Sequence, residues 1–186
     1  MIMTLGHSHR SAEEFLAILE AAGVERLLDV RARPGSRRFP WFGRRPLARS
    51  LQAAGIQYQH VPALGGGREP RRDSPNCGLR EDWQRGYADW MQGREFRDTV
   101  IWLRGLEAEG RSALMCAEAD PRHCHRWLIA DALICLGVSV QHLATPEGDY
   151  AHRGSRCLDR SAGWPRYPQA PGETLPLELD RHGGQK

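Results

Sequence analysis

Eleven residues, from Cys116 to Arg126 (CAEADPRHCHR), bring together two thiols, two carboxylates, two imidazoles and two guanidinium groups. A cysteine reacts, or binds a metal, as thiolate, and neighbouring cations or a helix N-terminus favour that form. Asp120-Pro121 reads as a helix start, N-cap then proline at the first helical position. That helix should run to about Leu136 and carry Cys124 in its first turn, with Arg122 and Arg126 nearby. Glu118, the acid nearest a strand end, is the candidate for general acid–base work. Cys116 and Cys124 are both candidate nucleophiles or structural thiols, since free cysteines are commonly small buried residues. His125 and His7 complete the candidate catalytic set.

Three chemistries fit parts of this segment. Five residues separate Cys116 from Arg122, the spacing of cysteine phosphatases, but Glu118 and Asp120 would sit in the phosphate cradle and repel the anion. Cys116 at a strand end, with Asp29-Val30-Arg31 after another strand, resembles the layout of rhodanese-type sulfurtransferases, whose active loop is shorter and contains glycine. Cys116, His123, Cys124 and His125 have the right atoms for zinc but lack the short Cys-x2–4-Cys pair. Cys124 and His125, adjacent on a helix, would also point to different faces. No metal ligand is assigned, and no cofactor is identified.

Arg31–Arg45 carries six arginines around Ser36, with Phe39, Trp41 and Phe42 interleaved. Guanidinium forks suit phosphate or carboxylate oxygens, and aromatics beside them stack bases or pin the loop. Arg31, Ser36, Arg37, Ser8, Asp29 and Arg126 form the candidate ligand-binding set. The only lysine is Lys186, so neither a Schiff-base lysine nor a phosphate-loop lysine is available.

The elements that must position these groups follow from apolar patterning. Short apolar runs at Ile2–Leu5, Arg26–Val30, Ile56–Val61, Ser112–Cys116 and Val138–Leu143 read as strands. The intervening stretches have helical spacing, with a start at Ser11 and stops at Gly23 and Gly137. Helices are expected over Pro46–Ala54, Asp82–Gln92 and Glu95–Glu109, and Trp83, Trp90 and Trp102 are expected in the core. The alternation predicts an α/β domain over residues 1–143, a mostly parallel sheet of about five strands with helices on both faces. Residues 144–186 form a partly irregular extension, loosely ordered from Ser161. Ligands in such sheets bind outside the carboxyl ends of the strands, where His7, Asp29, Arg31, Cys116 and Glu118 fall.

The chain has 186 residues, a net charge of +3, and hydrophobic and charged fractions of 40% and 26%, an ordinary globular composition. No apolar run is long enough to span a membrane, and the N-terminus lacks a signal-peptide pattern. A cytoplasmic location is expected, with the five cysteines as thiols. Oligomeric state is not encoded in any readable pattern.

The chain resembles the bacterial and archaeal domain of unknown function 488 (DUF488) family. The resemblance rests on Thr4-Leu-Gly-His-Ser8, Asp29-Val-Arg31 with Pro34 and Ser36-Arg37, Tyr58 through Leu64-Gly-Gly66, Glu95-Phe96, and Leu114-Met-Cys-Ala-Glu118 with Cys124-His-Arg126. It implies a compact α/β domain with the Cys-Ala-Glu and Cys-His-Arg elements as its signature, and no assigned substrate. The residues themselves suggest an enzyme acting on a phosphate-bearing small molecule or nucleic-acid end. Arg31, Arg37 and Arg126 would hold the anion, and His7 and Glu118 would exchange protons. The alternatives are a non-catalytic nucleotide- or nucleic-acid-binding module and a thiol or metal redox site.

Overall fold

The computed structural model describes residues 1–169. Its elements are β1 (Ile2–Gly6), α1 (Ala12–Ala21), β2 (Arg26–Asp29), α2 (Arg44–Ala53), β3 (Gln57–His60), α3 (Asp82–Trp90), α4 (Arg94–Gly105), β4 (Ser112–Cys116), α5 (Arg126–Cys135), β5 (Val140–Thr145) and β6 (Gly148–Ala151). Local chemistry sets several boundaries. Ser11 caps α1 by accepting from the Glu14 amide, and the Glu14 carboxylate accepts from the Ser11 amide, a reciprocal capping box.

The strands form one sheet in the order β3-β2-β4-β1-β5-β6. The first five are parallel, and β6 returns antiparallel to β5. Alternation of side chains along each strand divides the core in two. Met3, Leu5, Leu27, Ala113 and Met115 pack with Phe15 and Leu19 of α1 and Leu47 and Leu51 of α2. Ile2, Leu28, Leu114, Cys116 and Val140 pack with α3, α4 and α5 on the opposite face. Cys116 therefore projects toward α5, with Gly6 as its in-register neighbour on β1. The expected α/β sheet with helices on both faces is present, with one strand more than the five predicted.

The sixth strand lies past residue 143, in the stretch read as an extension, and Trp164 and Tyr167 are buried in the core. Through residue 169 that stretch is in part packed into the domain; residues 170–186 lie outside the described residues. The helix expected from Asp120 is also different. Pro121–His123 makes one 3-10 turn, Cys124 is extended, and α5 begins at Arg126 after His125 as N-cap. The Asp120 side chain does cap, but it caps the short turn by accepting from the Arg122 amide. Trp102 is 36% exposed beside exposed Ile101 on α4, so it is not the core residue expected.

The main chain beyond β1 stays bound to that beyond β4, with His7 N donating to Cys116 O and Ser8 N to Ala117 O. The approach requires glycine at position 6. A Cβ there would lie 1.8 Å from the Glu118 carbonyl oxygen. Gly6→Ala must push the 117–119 backbone away and should cost about 1–3 kcal/mol, the usual range for overpacking. Urea unfolding of the two proteins measures this, and an unchanged midpoint would show that the loop is not held as described.

Candidate functional site

Because Cys124 is extended rather than helical, its side chain and that of His125 converge instead of diverging. Cys116 Sγ, Cys124 Sγ and a His125 ring nitrogen all lie within 4.8 Å of one another. His125 Nδ1 is 3.8 Å from Cys124 Sγ, and its Nε2 is 3.0 Å from the Val30 carbonyl. That carbonyl accepts from Nε2 and turns Nδ1 toward the sulfurs. Gly66 packs over the same nitrogen so closely that a Cβ there would come within 2.8 Å of it.

Arg126, only 1% exposed, lies behind the thiols. Its Nε donates to Cys124 Sγ at 3.4 Å, one terminal nitrogen donates to Thr4 Oγ1 at 3.2 Å, and the other donates to the Glu118 carbonyl. Burial alone would raise the Cys124 thiol. The hydrogen bond from Cys116, the Arg126 guanidinium and His125 outweigh burial and hold Cys124 well below the ordinary thiol value. Cys116 moves the opposite way, pushed up by its hydrogen bond to Cys124 and by burial. The two thiols are thus shifted in opposite directions, Cys124 toward the anion and Cys116 toward the neutral thiol.

A cavity of about 290 Å³ opens on the cluster, walled also by Gly66, Gly67, Trp83, Tyr87, Glu118 and His123. The glycine loop is anchored from α3, where Tyr87 Oη donates to Leu64 O at 2.7 Å and Trp90 Nε1 to Ala63 O at 3.0 Å. Burial holds the Tyr87 phenol protonated, well above its usual range. Glu118 is exposed on the rim, its carboxylate accepting from the Ala119 amide at 3.0 Å.

The second group of predicted residues forms a separate, closed network. Asp29 is fully buried. It accepts from Arg31 Nε at 2.8 Å, from an Arg31 terminal nitrogen at 2.6 Å and from Tyr58 Oη at 2.8 Å. The remaining Arg31 donors reach Phe42 O and His7 Nε2. His7 Nδ1 donates to Ser8 O, and its ring stacks on Phe42 with centroids 4.1 Å apart. Burial lowers His7 to about 4, so it is neutral at pH 7. Ser36 Oγ accepts from the Phe39 amide, which shapes its own loop, and Arg37 is exposed. Ser8 bonds the neighbouring His9 ring. The structure therefore gathers Cys116, Cys124, His125 and Glu118 at one cavity with Arg126 buried behind them, and spends Asp29, Arg31 and His7 on one another.

Sequence reading missed a buried chain behind Arg126. Thr4 Oγ1 donates to His142 Nδ1 at 2.8 Å, His142 Nε2 to His152 Nδ1 at 3.0 Å, and His152 Nε2 to Asp131 Oδ1 at 2.8 Å. Ser155 and Tyr167 Oη complete the Asp131 carboxylate. One sequence signal was available: Asp131 interrupts the apolar run WLIADALI, where a carboxylate needs a partner. His142 lies within β5 and is lowered to about 3, mainly by burial.

Both depressed imidazoles give a pH test. In the unfolded chain they bind protons near 6.5, whereas in the folded chain His7 does so only near 4. Stability is therefore full above about pH 6.5 and falls as pH drops toward 4, by up to about 1.4 kcal/mol per pH unit for each such histidine. His7→Gln should make the decline in melting temperature between pH 7 and pH 4.5 shallower. The same slope in both proteins would mean that His7 does not titrate as a buried neutral group.

No curated protein and no solved structure matches the chain. The family model described as "Domain of unknown function DUF488" matches residues 11–133, from the cap of α1 into α5. That range contains Asp29 and Arg31, the glycine loop, Cys116 and Glu118, and Cys124-His125-Arg126, while β1, β5 and β6 fall outside it. The match covers more than half of the chain, and the chain belongs to the DUF488 family.

Proposed function

We propose that this protein is a thiol-dependent group-transfer enzyme whose nucleophile is Cys124. The observation that carries this reading is the contact of a fully buried guanidinium, Arg126, with Cys124 Sγ. Arginine cannot shed its proton, and an unpaired buried charge is costly. Among the described residues no carboxylate pairs with Arg126, so the thiolate supplies the countercharge. The 290 Å³ cavity gives a small substrate access to it.

The chemistry is a two-step transfer of a group X from Y to an acceptor A–H. Cys124 attacks X, the S–X bond forms and Y leaves with the bonding electrons. Glu118 then takes the proton of A–H as A displaces the sulfur, and that proton passes to Y. Cys116 remains a thiol that donates to the Cys124 sulfur and keeps it anionic. Such thiol chemistry fits a reducing compartment, and we place the protein in the cytoplasm.

Ultraviolet titration of the thiolate tests the first premise. Half-ionisation should occur well under the ordinary value of about 8.5, move upward in Cys116→Ala, which loses the donor to the Cys124 sulfur, and disappear in Cys124→Ser. Titration of every thiol near that ordinary value would overturn the reading. Glu118→Gln should accumulate an adduct on Cys124 when incubated with a low-molecular-mass cell extract, read by intact mass. Adducts absent from Cys124 in both wild type and variant would remove its nucleophilic role.

A second reading has its own observation. The Cys116, Cys124 and His125 donors converge, and Val30 fixes the outer nitrogen of His125 as a backbone carbonyl does for a metal-bound imidazole. Those atoms suit a soft ion such as zinc. One equivalent of metal in protein purified without chelator would replace the nucleophile by a metal centre.

A further inference from the structure

A larger groove of about 720 Å³ meets the thiol cavity at His123, which lines both. Its walls come from three stretches of chain, residues 78–84, 122–127 and 154–157, and it presents Arg80, Arg122 and Arg156 beside Trp127. Glu81 is the one carboxylate among the described lining residues.

The three arginines differ in their commitments. Arg122 is held by Asp120 and Glu147. The side chains of Arg80 and Arg156 form no hydrogen bond or ion pair among the described residues, although the backbone beneath each is fixed. The Arg80 carbonyl accepts from Arg85 at 2.9 Å, and Arg85 is tied to Asp82. Ser155, next to Arg156, gives both its amide and its hydroxyl to the buried Asp131. Gly78 N, on the first stretch, donates to Tyr167 O at 2.9 Å, and a Cβ at Gly78 would lie 2.9 Å from Cys157 Cβ on the last. The same Cβ would come within 2.4 Å of the Pro168 carbonyl, so this close approach depends on glycine.

We infer that this groove binds the phosphate of a small organic substrate whose reacting end lies in the thiol cavity. The inference builds on the thiol-enzyme reading by naming the substrate class, and it moves the anion contacts from the residue 31–45 loop to Arg80 and Arg156. Uncommitted guanidinium forks on a fixed backbone match phosphate oxygens and give up little order on binding. The groove's limited volume, its Glu81 and the modest overall charge of +3 favour a compact ligand over a polynucleotide.

Calorimetric titration with inorganic pyrophosphate tests this without a known substrate. Wild-type protein and Arg37→Ala should bind it alike, whereas Arg80→Ala/Arg156→Ala should bind about tenfold more weakly or worse. Both substituted arginines are exposed, and matching melting temperatures would confirm folded variants. Binding lost in Arg37→Ala but kept in the double variant would overturn the groove. So would the absence of binding to wild type, or tighter binding of a single-stranded oligonucleotide with a steep salt dependence. The measurement does not involve the ionisation of Cys124. A normal thiol titration with intact pyrophosphate binding would thus remove the nucleophile and keep the groove, and the reverse result would do the opposite.

Discussion

Arg126 is the residue on which the site is built. Its charge is permanent, it is buried, and its donors point to three different parts of the chain. The Glu118 carbonyl holds the loop after β4, Thr4 belongs to β1, and Cys124 precedes α5. A buried guanidinium is tolerable only where its hydrogen bonds are made and a countercharge is close. The same requirement that shapes the backbone therefore favours the anionic form of the Cys124 thiol. A lysine there would offer one point of charge in place of a planar fork and could not serve all three directions together.

The hydrogen-bonded chain behind Arg126 solves a second charge problem in the same way. Thr4 and His142 are in-register neighbours on β1 and β5, so their side chains share the face toward α5. Each donor in the sequence Arg126, Thr4, His142, His152, Asp131 points the same way, from the cation to the anion. This direction fixes one tautomer for each imidazole. It also gives a role to chain outside the matched family region. His152, Ser155 and Tyr167 satisfy Asp131, which lies on α5, the helix that Arg126 begins. The segment after β5 is thus part of the support for the site.

Much of this architecture was legible beforehand, and the rest was not for definite reasons. The unbroken apolar runs of β1, β2 and β4 gave a buried parallel sheet, and strand-end logic located Cys116, Glu118 and Arg126. The extended residue at Cys124 was hidden. Asp-Pro is a sound helix start, but here it serves one 3-10 turn before the chain straightens, and that extra bend brings two thiols and an imidazole together. The closeness of Thr4 to Arg126, or of His142 to His152, depends on sheet order, which no local pattern carries. Sheet order also hid β6, whose short polar sequence GDYA reads as a turn until β5 is there to pair with it.

Charge density along the sequence does not show which arginines the fold leaves uncommitted. Arg31 stands in the densest run of arginines, yet each of its side-chain nitrogens already has a partner in Asp29, Phe42 or His7. The aromatics of that loop serve the body of the protein: Phe42 is buried against His7, and Trp41 Nε1 donates to Arg10 O at 3.1 Å. Arg80 and Arg156 stand apart in sequence, one just before α3 and the other in the stretch read as an extension. What distinguishes them is a fixed main chain beneath an uncommitted side chain. A guanidinium that the fold has not used, on a backbone that the fold has, is what an incoming anion can exploit at small entropic cost.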